Sequence, residues 1–206
     1  MLEHVPAWLG AALKNVRAGH DRLILADPSL LLPGDMVNLS SPAFANRARL
    51  PERFTADGAG VSPPLQWSEP PPETRSFALI VEDPDAPVPN PLVHAILWDI
   101  PASIRTLDEG AIVSDSAGAK GGDVGRNSFL REGWLPPDPP TGHGEHDYVF
   151  QLFALSTIGA PSASPGRGDF LTAIGGRILA AGVLVGTYSR SAAASAASTD
   201  LHPQTA

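Results

Sequence analysis

Fourteen of the 22 prolines in this 206-residue chain lie between Pro63 and Pro140, and 20 glycines accompany them through the sequence. Proline locks φ and withholds a backbone donor, so a stretch this rich in it cannot run as a long helix or an uninterrupted central strand. Helical bundles and coiled coils are excluded. What remains is a chain of many turns and short strands. Apolar residues make up 43% of the sequence, enough to bury one core. The length fits one domain with appendages better than two.

Fourteen basic against 22 acidic side chains leave a net charge of −8. Nucleic acid and anionic membranes need a basic face, so neither is an expected partner. An anionic ligand would have to be held by local groups rather than by the overall field. With no cysteine, disulfides, thiol catalysis and cysteine-bound metals are ruled out. The N-terminus lacks the pattern of a secretory leader. No transmembrane segment is expected, since no stretch approaches about 18 uninterrupted apolar residues. The expected protein is soluble and cytoplasmic.

Val5, Trp8, Leu9, Ala12, Leu13 and Val16 recur at helical spacing and predict an amphipathic helix of about three turns. This helix is expected to dock on its own domain or on a second subunit. Buried strands are predicted over 76–82, 92–100 and 148–155, the last with Tyr148, Phe150, Leu152 and Ala154 on one face. Residues 112–140 form a glycine- and proline-rich loop region too long for an idle connector. A helix is predicted over 169–181 through Phe170, Ile174 and Ile178, followed by a strand from Val183. The domain plan is an N-terminal helical extension (1–20), one domain (35–190) and a disordered tail (191–206). The fold class is mainly β: an antiparallel β-sandwich with a few peripheral helices.

Two segments concentrate the chemistry. Asp83-Pro-Asp-Ala-Pro87 ends a strand, with His94 in the next one, and its prolines hold the loop in place before a ligand arrives. The plainer reading of these aspartates is a turn in which they cap nearby amides. In Gly142-His-Gly-Glu-His-Asp-Tyr148, strand alternation puts His146 and Tyr148 on one face and Asp147 on the other. Here the plainer reading is an exposed strand-end histidine. Were Asp83, Asp85, His94, His146 and Tyr148 to meet, a carboxylate would fix an imidazole and raise its affinity for a proton, and the imidazolium would attract phosphate or carboxylate.

These residues resemble a known family. Asp83-Pro-Asp-Ala-Pro87 with His94 is similar to the first signature of the phosphatidylethanolamine-binding proteins. Gly144-Glu-His146-Asp-Tyr148 resembles the second, usually Gly-x-His-Arg-Tyr. Asp57 to Trp67, Pro136 to His143 and Leu184 to Tyr188 add ancillary matches. The glycine-proline loop and the late helix resemble the bacterial, Raf-kinase-inhibitor-like branch. The resemblance implies a β-sandwich with a small anion pocket at one edge. It carries the ligand-binding role to Asp83, Asp85, His94, His146 and Tyr148, and more loosely to Pro136, Pro140 and Gly142. Relatives bind phosphate-like head groups, eukaryotic members act on partners such as kinases, and bacterial members are often homodimers. The sequence departs from the family at Asp147, where arginine is usual; a reversal of charge there puts contacts with a loop or partner in question.

Three functions compete. The first is a binding protein for a small anionic head group such as phosphate or phosphoethanolamine, acting on a protein partner such as a kinase. The second is a hydrolase of phosphoesters or acyl esters using His94 or His146 with Asp83 or Asp85. No serine elbow or other activated nucleophile supports it. The third is a metal site from His143, His146, Asp83 and Asp85. The chain is therefore read as a ligand-binding protein, with no catalytic residue, metal or cofactor assigned.

Overall fold

The computed structural model describes residues 7–32, 34–113, 123–157, 159 and 164–190. Its strands, in chain order, are β1 (Leu39–Ser40), β2 (Ala48–Arg49), β3 (Leu65–Trp67), β4 (Ser76–Asp83), β5 (Leu92–Pro101), β6 (Thr106–Leu107), β7 (Asp123–Val124), β8 (His146–Leu155) and β9 (Ile178–Tyr188). Two helices flank them, α1 (Ala7–Leu13) and α2 (Arg167–Ile174). A six-stranded sheet in the order β2-β9-β8-β4-β5-β7 packs on a three-stranded sheet, β1-β3-β6. Neighbours run antiparallel except β2, which lies parallel to β9. This is the mainly β sandwich that the turn-rich sequence predicts.

β4 is buried at every position because the large sheet is covered on both faces. Phe77, Leu79 and Val81 join Tyr148, Phe150, Leu152 and Ala154 of β8 in a core shared with Leu39, Leu65 and Trp67 of the small sheet. On the other face Ala78 and Ile80 pack with Trp98, Phe153, Ile24, Phe170 and Ile174. The second cover consists of α2 and the segment after α1. A continuous apolar run in a strand is the signature of such double burial.

Two helix boundaries differ from their sequence expectations. The described part of the N-terminal helix runs over Ala7–Leu13 and stops short of Val16, with Val5 outside the described residues. The carbonyl of Leu13 accepts from the Val16 amide at 2.7 Å, in a tight closing turn, and from His143, 130 residues away. The helix does pack on its own chain: a Cβ on Gly10 would lie 2.2 Å from the Thr141 carbonyl oxygen. The late helix starts at Arg167, where the Asp169 carboxylate caps the Gly166 amide at 3.0 Å. It ends at Gly175-Gly176, so Ile178 belongs to β9 instead. Phe170, Ile174 and Ile178 share one core from two different elements, which the spacing alone reads as one helix. The expected tail at 191–206 and residues 114–122 of the 112–140 loop lie outside the described residues. Among those described, no helix is long and apolar enough to cross a membrane.

Candidate ligand-binding site

β4 ends at Asp83 and turns through Pro84, Pro87, Pro89 and Pro91 into β5. One Asp83 oxygen, Oδ1, accepts from the amides of Asp85 (2.8 Å) and Ala86 (3.0 Å). The capping role expected of a turn aspartate is thus present. It leaves the other oxygen, Oδ2, to face His146 at 2.8 Å.

His94 owes its direction to a β-bulge. β4 and β5 pair Val81 with Ala95 and Glu82 with Val93, so His94 is the extra residue between them. Ala95 faces the inter-sheet core while Val93 faces the opposite one. The bulge brings His94 round to the inter-sheet side, where its ring meets Tyr148 edge-on at 5.0 Å. Bulges commonly re-aim side chains beside functional sites. Strict alternation along 92–100 misses this turn.

His146 opens β8 and stands between two partners. Its Nδ1 lies 2.8 Å from Asp83 Oδ2 and its Nε2 lies 2.7 Å from His143 Nδ1. His143 Nε2 in turn lies 2.8 Å from the Leu13 carbonyl oxygen. The Leu13 carbonyl only accepts, so His143 Nε2 carries a hydrogen and donates to it. Burial, followed by the charge of His146, holds the His143 proton affinity below its ordinary range. With His143 neutral, its Nδ1 accepts from His146 Nε2, and His146 Nδ1 and Asp83 Oδ2 share the remaining hydrogen across their 2.8 Å contact. Gly142 (φ +83°) and Gly144 (φ +111°) flank His143 in left-handed backbone and aim it inward.

Two buried polar atoms at this site have no partner among the described residues: Nε2 of His94 and the hydroxyl of Tyr148. Burial first, then Asp83 and Asp138, push the Tyr148 phenol well above its ordinary range, so it stays a hydrogen-bond donor. A cavity of about 340 Å³ opens here, lined by Asp83, His94, Pro136, Pro140 and His146. Trp134, Phe129, Arg131, Glu132 and Asp138 complete much of its wall. Trp134 is held by stacking on Phe150 at 6.0 Å and by its Nε1–H, which donates to the Phe54 carbonyl. Arg190 grips the 136–140 loop through Asp138 and ties it to Asp57, whose other contact is the Tyr188 hydroxyl at 2.7 Å. The hydrogen bonds from Arg190 hold the Asp57 carboxyl below its ordinary range.

The N-terminal segment straps both loops together. The amides of Ala18 and Gly19 bond to the carbonyls of Ala86 and Pro84. Arg17 pairs with Asp85 and donates to the Glu145 carbonyl. His20 lies 3.1 Å from Asp147, with Arg47 at 3.9 Å. Asp147, which stands where the resemblance expects arginine, thus faces His20 of the strap and the guanidinium of Arg47 just before β2.

Of the residues singled out in sequence, Asp83, His94, His146, Pro136 and Pro140 meet at the cavity. Tyr148 lies fully buried beneath it against His94. Asp85 faces away, toward Arg17 and the Asp147 amide (2.7 Å), and Gly142 shapes the turn behind the wall. His143 and His146 bond to each other rather than converging on an ion. Ligand atoms of His20, Asp85 and Asp147 do lie within 4.8 Å of one another, but Arg17 and Arg47 already meet the two carboxylates. Sequence reasoning missed Arg17, Trp134, Leu135 and Asp138. The placing of Asp138 between two proline pairs was the one available signal.

Comparison with known proteins places this geometry among relatives. The family model described as phosphatidylethanolamine-binding protein matches residues 40–189. A UPF0098 protein of Aquifex aeolicus is 38% identical over 160 residues, covering 76% of this chain and 91% of that protein. The crystal structure of CT736, a phosphatidylethanolamine-binding protein homologue of Chlamydia trachomatis, is 31% identical. It superposes with a TM-score of 0.68 over 76% of this chain and 99% of its own. Escherichia coli YbcL, described as a new member of the mammalian PEBP family, is 29% identical with a TM-score of 0.67, covering 74% of this chain and 98% of its own. The matched span, 40–189, excludes the whole N-terminal strap.

Proposed function

This chain belongs to the phosphatidylethanolamine-binding protein family, and from that membership we propose that its cavity binds a small anionic head group bearing phosphate or carboxylate, such as phosphoethanolamine. The observation that carries this reading is the pair of buried polar atoms without a partner among the described residues, His94 Nε2 and the Tyr148 hydroxyl, with the bonded Asp83–His146 pair beside them. Leaving a buried polar group without a partner costs about 1–3 kcal/mol, and a bound ligand would remove that cost. Asp83 fixes the orientation of the His146 ring, and the proline-rich loops hold the walls in place.

A binding or regulatory role is favoured over the hydrolase reading by the cavity wall. Among its described lining residues there is no serine, threonine, cysteine or lysine to act as a nucleophile. A protein partner, a kinase for example, would then sense the filled pocket through the two loops that frame it.

Titration with phosphoethanolamine, followed through the imidazole proton signals of His94 and His146, tests the reading. Both sets should shift together and saturate in the millimolar range or below. Signals that stay in place at tens of millimolar would count decisively against it.

A further inference from the structure

The N-terminal strap reaches the Asp83–His146 pair through one side chain, His143. The Leu13 carbonyl oxygen accepts from His143 Nε2 at 2.8 Å, with the Val16 carbonyl oxygen a second acceptor at 3.3 Å. From there a single file of contacts runs inward. His143 Nδ1 meets His146 Nε2 at 2.7 Å, and His146 Nδ1 meets Asp83 Oδ2 at 2.8 Å. All three side chains are buried, and Asp83 Oδ1 is spent on two amides.

Three contacts need three hydrogens, one for each. The Leu13 carbonyl has none to give. Two neutral imidazoles carry two, so with Asp83 ionised the file is one short. The docked strap therefore requires one added proton, lodged between His146 Nδ1 and Asp83 Oδ2. Lifting the strap removes that demand. His143 Nε2 then faces water, which donates as readily as it accepts, and the ring is free to carry its hydrogen on Nδ1. Nδ1 donates to His146 Nε2, and His146 Nδ1 donates to the carboxylate. Both remaining contacts are satisfied by two hydrogens, with no proton added.

We infer that docking of the N-terminal strap takes up one proton at the Asp83–His146 pair, which makes residues 13–20 a pH-dependent clasp over the 83–87 and 142–147 loops. The clasp is a feature of this chain beyond its family, whose matched span begins at residue 40. It holds whatever fills the cavity. Docking is strongest where the undocked pair is protonated as well. It weakens as pH rises through the range in which only the docked pair keeps its proton.

Other charged and titratable groups face the file from each element around it. Arg17 of the strap acts on His143 but is paired with Asp85 of the 83–87 loop. β5 contributes His94, which bonds Leu135 and not the strap. From the 136–140 loop comes Asp138, held by Arg190. β8 adds Tyr148 beside His94 and, on its opposite face, Asp147, which meets His20. Of these only His20 both titrates near neutrality and belongs to the strap, so the test must separate it.

Amide exchange reads the docking directly, because the amides of Ala18 and Gly19 donate to the Ala86 and Pro84 carbonyls. With the intrinsic exchange rate divided out, their protection should fall between about pH 6 and 8.5, by up to about tenfold per unit. Leu79 and Leu152 in the central strands should hold theirs. The fall should persist in His20→Gln. It should vanish in Asp83→Asn: Oδ1 keeps its two amides, and the new amide nitrogen supplies the third hydrogen to His146 Nδ1. In the unmodified protein at pH 6, ¹⁵N shifts should show His143 protonated on Nε2 and bare on Nδ1. Protection flat across the range, a fall lost in His20→Gln, an unchanged fall in Asp83→Asn, or a hydrogen on His143 Nδ1 would each overturn the inference. Should Asp83→Asn fail to fold, the unmodified protein and His20→Gln decide the matter. No ligand enters these measurements, so their failure leaves the anion-binding reading where it stands.

Discussion

Glu82 and Asp83 are neighbours in β4, yet they point to opposite faces and into opposite situations. Glu82 is completely buried beneath α2 and the N-terminal segment, where both of its carboxylate oxygens are engaged. Its Oε2 accepts from the Ile24 amide (2.9 Å) and from Gln151 (2.8 Å), and its Oε1 pairs with Arg167 at 2.6 Å. The Gln151 carbonyl oxygen accepts in turn from the Leu25 amide at 2.7 Å. Around Asp83 the network is open: His146 and His143 are bonded in series, but His94 Nε2 and the Tyr148 hydroxyl beside them are left over. A closed buried network rigidifies a fold, whereas an open one of the same depth leaves valences for something to fill. Burial and charge are alike in the two regions. Completeness of hydrogen bonding separates the structural one from the functional one.

The sharpest way to break this contrast is to remove one member from each side. Glu82→Ala strips the partners from Ile24, Gln151 and Arg167 together and should cost roughly 3–5 kcal/mol in urea unfolding. A loss below about 1 kcal/mol would mean that the closed network is not what pins the strap and α2 to the sheet.

The next effect depends on pH and isolates His94. Because burial lowers its proton affinity, the unfolded chain binds a proton below about pH 6.5 that the folded chain resists. The contribution of His94 to stability is therefore present above that pH and is lost as pH falls. His94→Gln keeps a donor for Leu135 and cannot titrate. The stability of the unmodified protein relative to this variant should decline between pH 7.5 and 5.5, by at most about 1.4 kcal/mol per unit. A difference that holds constant, or grows, would show that the ring accepts a proton freely where it stands.

Tyr148→Phe should do least to the fold and is the most telling for that reason. The hydroxyl has no protein partner, so the unfolding free energy should stay within about 0.5 kcal/mol of the unmodified protein or rise. Phosphate affinity should meanwhile fall about tenfold, the worth of one hydrogen bond. A large destabilisation with unchanged binding would reverse the assignment of the two regions.

Much of this was legible along the chain. The apolar runs at 76–82, 92–100 and 148–155 are strands within a residue or two, because double burial demands such runs. Alternation placed His146 and Tyr148 together and Asp147 opposite, as β8 has them. What stayed hidden depends on residues distant in sequence. The bulge at His94 arises from its pairing with β4, and alternation within β5 gives no sign of it. Arg17 and the Leu13 carbonyl reach the site from a segment whose only readable trait was helical spacing. Phe170, Ile174 and Ile178 read as one helix because a shared core face looks the same whether one element or two supply it.

From the residues alone came the turn-rich, mainly β character, the three central strands and the two proline-framed loops, since proline stereochemistry and side-chain period act locally. Only the folded chain decides which polar atoms find partners, because hydrogen-bond satisfaction is a property of neighbours in space. It hands His143 to Leu13 and His146 to Asp83, and at this site it leaves His94 Nε2 and the Tyr148 hydroxyl without a partner among the described residues. The proline surplus locates the pocket; the unclaimed pair is what gives it chemistry.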